Sequence, residues 1–155
     1  MKRIDGKGFT LIEVVATVAI ASLVMVSLVT FFSVVSRVFV ASAQESESRL
    51  IISSAKAYLK NELTYVAEID DSGDGTFDKL EFNGGKMFLN GAQVFTDEFY
   101  GNSRIYGEVT GLGSVLTFEL RIENGGTDRI ETYVVKTLNK IDTAISTPTT
   151  SIYYK

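Results

Sequence analysis

Gly8-Phe9-Thr10-Leu11-Ile12-Glu13 opens the segment that decides the fold. Before it stand Lys2, Arg3 and Lys7 with one acid, Asp5. Behind it, Val14 to Ser36 runs for 23 residues without a charge and closes at Arg37. At about 1.5 Å of rise per residue, that run crosses a hydrocarbon core of about 30 Å. Bases ahead of the apolar run predict an N-terminus on the cytoplasmic side, with the remainder outside. A secretory signal would carry its small-residue cut site after the apolar core. Here Gly8 precedes the core, so the apolar segment reads as retained. Glu13 is the anomaly. An acid in a membrane segment is costly and points to function, although an acid also suits the positive end of a helix dipole.

No proline or glycine interrupts Phe9 to Asn61, so nothing there breaks a helix. From Arg37 the character turns polar. Ile52, Ala55, Leu59, Leu63 and Val66 then recur at three- and four-residue spacing and mark one apolar face. The spacing predicts one helix from about Phe9 to about Ala67, lipid-like over 9–36 and amphipathic over 37–67.

After the helix comes Asp70-Asp71-Ser72-Gly73-Asp74-Gly75-Thr76-Phe77-Asp78-Lys79-Leu80-Glu81. Asp70, Ser72, Asp74, Thr76, Asp78 and Glu81 take the ligand places of a twelve-residue calcium loop, and Gly75 takes the sharp turn. Ser72 replaces the usual Asp or Asn, and no exiting helix follows. The same residues also read as an Asp/Gly-rich turn joining helix to strand.

From 68 to 142 short strands alternate with glycine turns. Leu80 and Phe82 precede Asn83-Gly84-Gly85, Met87 to Leu89 precede Asn90-Gly91, and Val94-Phe95 follow. Thr96 to Gly113 reads as loop, with at most one short strand at Arg104 to Tyr106. Leu116, Phe118, Leu120 and Ile122 alternate with polar residues as a half-buried strand. Asn124-Gly125-Gly126 turns it into a return from Ile130 to Leu138, with Ile130, Thr132 and Val134 sharing a face. Residues 143–155 read as a Ser/Thr-rich mobile tail, with Ile152 to Tyr154 as an edge strand. The expected class is α+β, a long helix packed on a C-terminal antiparallel sheet.

The whole chain has 155 residues and a net charge of −4. Removing the three bases and one acid of residues 1–8 from its 15 bases and 19 acids leaves −6. That balance gives no support for non-specific nucleic-acid binding. Without cysteine no disulfide staples an exported domain. Without histidine or cysteine, the commonest agents of general-base and thiol chemistry are missing. Gly111-Leu112-Gly113 does not continue into a phosphate loop, and Gly101-Asn102-Ser103 is not a nucleophile elbow. No catalysis is expected.

The stretch from Gly8 to Glu13, with its basic leader and apolar continuation, resembles the processing site of type IV prepilins and of pseudopilins. The resemblance implies that a prepilin peptidase cuts after Gly8, removing residues 1–8, and methylates Phe9. It implies that Glu13 of one subunit neutralises the Phe9 amine of a neighbour, so that two charges costly alone in lipid are tolerated together. The implied partners are other pilin or pseudopilin subunits, the peptidase, and the cytoplasmic membrane as reservoir. A filament outside the cell or in the periplasm is the destination. Many major pilins carry a proline midway along the membrane segment, where Thr30 stands here, and many close a C-terminal loop with a disulfide. The missing proline, with the β-rich globular part, leans towards a minor pilin or pseudopilin. The alternatives are a major pilin, or an adhesive module displayed on the filament with Tyr100, Tyr106 and the calcium loop as its binding face.

Overall fold

The computed structural model describes residues 10–70, 76–139 and 144–155. The chain divides into two compact units, Met1–Ala43 and Gln44–Lys155. One helix, α1 (Leu11–Leu63), runs through both.

In the first unit α1 is long and apolar enough to cross a membrane, judged by length and composition. Its large apolar side chains, from Leu11 to Val40, are exposed on every face. Five of its hydroxyls are satisfied locally. Thr17, Ser22, Ser27, Thr30 and Ser33 each donate to the carbonyl four residues back, at 2.7–2.9 Å. Such back-bonding satisfies these five donors within the helix, as an apolar surround requires.

The second unit carries the whole buried core, from Ile51 to Tyr154. The helix contributes Ile51, Ile52, Ala55, Leu59 and Leu63, the expected stripe widened by Ile51. It ends at Leu63 rather than near Ala67. The backbone there is drawn into sheet contacts instead, with Ala67 N donating to Lys155 O at 2.8 Å and Leu138 N to Thr64 O at 2.8 Å.

The following elements are β1 (Ile69–Asp70), β2 (Asp78–Asn83), β3 (Lys86–Leu89), β4 (Ala92–Gln93), α2 (Asp97–Tyr100), β5 (Arg104–Leu112), β6 (Val115–Asn124), β7 (Thr127–Lys136), β8 (Ile145–Thr149) and β9 (Ser151–Tyr154). Among the described residues these strands form two antiparallel sheets rather than one. Their orders are β1-β9-β2-β3-β4 and β7-β6-β5-β8. Two-residue turns at Gly84-Gly85, Asn90-Gly91 and Gly125-Gly126 all have positive φ at both positions. That geometry matches the twist of hairpin strands. The predicted strand of Leu116, Phe118, Leu120 and Ile122 is β6, and all four side chains are buried.

Two expectations are corrected. The supposed loop from Thr96 to Gly113 holds α2 and the nine-residue β5. Gly107 and Gly111 read as turn residues but lie in β5, where they admit neighbours. A Cβ on Gly107 would stand 2.5 Å from the Phe82 ring, and one on Gly111 2.7 Å from Leu116. In a strand interior, glycine marks just such a close approach. Second, residues 145–154 are not a mobile tail. Ile145 and Ile152 pack into the core, and β9 is internal to its sheet, between β1 and β2. Thr150 alone separates β8 in one sheet from β9 in the other, so this segment stitches the sheets together. Pro148, which lacks an N–H, sits in the edge strand β8, where that lack is tolerated. As expected, Ile130, Thr132 and Val134 share a face of β7; it is the exposed one, and Val135 on the other face is buried.

Charged side chains tie β7 to α1. Arg129 pairs with Glu45, Glu131 pairs with both Lys56 and Arg129, and Arg49 completes the chain at Glu45. The hydrogen bond from Lys56, then that from Arg129, holds the Glu131 carboxyl below its ordinary range. A carboxyl so lowered contributes stability above its unfolded pKa and loses it as pH falls through the folded value. Glu131→Gln should therefore flatten the loss of stability below about pH 4, read from urea midpoints of the full chain in detergent across pH. Gly107→Ala should lower the urea midpoint at neutral pH, at a cost of about 1–3 kcal/mol from overpacking against Phe82.

Candidate functional site

Thr10 is the last residue before α1, and Glu13 lies in its first turn. Thr10 N donates to Glu13 Oε2 at 2.8 Å, and Thr10 Oγ1 donates to the same oxygen at 2.9 Å. In return, Glu13 N approaches Thr10 Oγ1 at 3.4 Å. Threonine and a glutamate three residues later, bonded reciprocally, form a capping box. The helix starts where it does because this pair satisfies amides that have no partner within the helix.

The site's chemistry follows from its donors. Glu13 is exposed, and both groups holding its carboxylate are neutral. Among the described residues no cation pairs with it. The arrangement parks an anion at the head of an apolar helix and keeps it accessible from outside. Gly8 and Phe9, the expected processing residues, lie outside the described residues. Thr10 was absent from the sequence-derived site, although Thr-x-x-Glu before an apolar run is a recognisable helix start.

The expected calcium set does not come together among the described residues. Ser72 and Asp74 lie outside them. Asp70 is in β1, and Thr76 is exposed ahead of β2. Asp78 and Glu81 are both in β2, three residues apart, and so project to opposite faces of the strand. Each also has a partner: Asn90 Nδ2 donates to Asp78 Oδ1 at 2.7 Å, and Lys79 pairs with Glu81. The adhesive face loses one tyrosine. Tyr100 is buried, and its hydroxyl oxygen accepts from Met87 N at 3.1 Å. Tyr106 is half-buried beneath Arg121, whose guanidinium stands 4.8 Å from the ring centre.

The described fold is α+β and consistent with a pilin fold: a long N-terminal apolar helix whose later part packs on antiparallel sheets. Residues 6–29 match the family model described as the prokaryotic N-terminal methylation motif. That stretch is the type IV prepilin-type cleavage and methylation signal. No curated protein and no solved structure matches the chain.

Removing the box at its threonine should fray the helix head. Thr10→Ala should cost about 1 kcal/mol of local stability, measured as faster hydrogen exchange at the Ile12 and Glu13 amides in detergent. Thr10→Ser should restore the slow rate.

Proposed function

We propose that this chain is a minor pilin or pseudopilin, a structural subunit of a type IV pilus-like filament. The prepilin peptidase removes residues 1–8 and methylates Phe9. The apolar part of α1 holds the subunit in the cytoplasmic membrane, N-terminus inside, until assembly. In the filament, Glu13 of one subunit takes the Phe9 amine of a neighbour.

The observation that carries this reading is the exposed carboxylate of Glu13, held among the described residues by neutral donors of Thr10 at the head of an uncovered apolar helix. A hydrogen bond from a charged amine is roughly twice as strong as one from a neutral donor. Exchange of donors on assembly is therefore favourable, while the helix keeps one N-terminal acid either way. The minor-subunit assignment draws on Thr30, which replaces a family proline and bonds back to Val26 O at 2.9 Å in an unbroken helix.

Glu13→Gln tests the proposal in cells that make the filament. The variant should still be processed and reach the membrane, but its share in sheared filaments should fall about tenfold or more, as expected for one charge left without its partner. Incorporation at the wild-type level would refute the pairing.

A further inference from the structure

Of the sheet edges among the described residues, β7 stands apart. The opposite edge of its sheet, β8, is five residues long, contains Pro148 and pairs irregularly with β5 between Val109 and Gly111. The other sheet ends in β1 and β4, two residues each. By contrast, β7 has ten residues in unbroken register with β6 and no proline. Long open edges of this kind offer a row of unpaired N–H and C=O groups.

The hydrogen-bond phase of that edge can be worked out. The turn at Gly125-Gly126 makes Asn124 and Thr127 the closing pair of the hairpin, in which both N–H···O bonds are made. Beyond the other end of the ladder, Thr137 N donates to Ser114 O at 3.0 Å, in the same phase. Odd-numbered residues of β7 therefore bond to β6. The even-numbered ones, Asp128, Ile130, Thr132, Val134 and Lys136, direct their backbone groups to the open edge. Their side chains all lie on the exposed face, with Ile130 58% and Val134 48% exposed. Among the described residues neither Asp128 nor Lys136 has an ion-pair partner.

This series is complementary to itself when reversed. Laid antiparallel on a second β7 with Thr132 opposite Thr132, it sets Ile130 opposite Val134 and Asp128 opposite Lys136, each twice. Thr–Thr, β-branched apolar and opposite-charge pairs are the cross-strand combinations that stabilise sheets. The register also falls on the open backbone phase, so every facing even-numbered pair can exchange hydrogen bonds. A one-residue slip would lose both matches.

We propose that β7 is a pairing edge for a second copy of this chain, joined antiparallel about a two-fold axis through Thr132. The contact is isologous and unites two four-stranded sheets into one of eight strands. It also has a polarity. Asn124 Nδ2 donates to Gln44 O at 3.2 Å, and Leu138 N donates to Thr64 O, so this part of α1 runs alongside β7 in the same direction. The two-fold sets the Gln44 ends of the two helices at opposite ends of the joined sheet. Glu13 and the N-terminal signal play no part in the contact, so it stands or falls apart from the filament assignment.

The chain has no cysteine, which makes cross-linking a clean test. In the detergent-solubilised full chain, Thr132→Cys should give a disulfide dimer under mild oxidation, and Thr117→Cys, inside the sheet on the same face, should not. On the Thr132→Cys background, Asp128→Lys or Lys136→Asp alone sets like charges opposite at two places and should lower dimer yield about tenfold. The double exchange should restore it. Equal yields from Thr132→Cys and Thr117→Cys, or yields indifferent to the charge exchanges in folded protein, would overturn the proposal.

Discussion

The governing constraint is that the core closes without the first half of α1. Among the described residues every buried apolar side chain lies between Ile51 and Tyr154, while the large apolar side chains from Leu11 to Val40 are exposed. Burying one large apolar side chain is worth about 1.5–3 kcal/mol. A dozen or more left in water would cost tens of kcal/mol, against about 5–15 kcal/mol for the stability of a whole domain. The N-terminal segment must therefore sit in lipid or against other helices. Its local chemistry suits both, since Thr17, Ser22, Ser27, Thr30 and Ser33 are bonded back to their own helix.

Within that apolar surface Glu13 would be a liability without Thr10. The box gives the carboxylate two donors and gives the helix its start, so one interaction serves both folding and the storage of a charge. Because the donors are neutral, the carboxylate is satisfied without being committed. That is a sensible resting state for a subunit expected to exchange lipid for neighbours, where an ammonium is a better partner than a hydroxyl.

Much of this was legible in the residues. Periodicity exposed the helical stripe and β6 because those segments bury one face with unbroken apolar spacing. The Gly8 to Glu13 stretch carried the family signal that residues 6–29 match. Legibility failed where packing overrode local pattern. Gly107 and Gly111 look like turns because a missing side chain cannot show that a neighbour's ring or methyl group fills its place. The Ser/Thr-rich 145–154 looks mobile because its anchors, Ile145, Ile152 and Tyr154, are few, and their partners lie far away in the chain. Tyr154, for example, donates its hydroxyl to Glu62 at 2.8 Å, and burial, then Glu62, raises its pKa. In β7 the alternation was visible, but which face was core was not. Arg129 and Glu131 occupy the inner side through ion pairs with α1 that spacing alone does not reveal.

The proposed assembly depends on conversion of the N-terminus, and the most direct measurement is mass spectrometry of the N-terminal peptide from membranes and from sheared filaments. A chain beginning at methylated Phe9 in the membrane, with a trace of the same peptide in the filaments, is the predicted result. Abundant methylated Phe9 in the filaments would contradict the minor-subunit assignment. Met1 and Lys2 still attached in both fractions, in cells whose peptidase is active, would contradict the filament account as a whole.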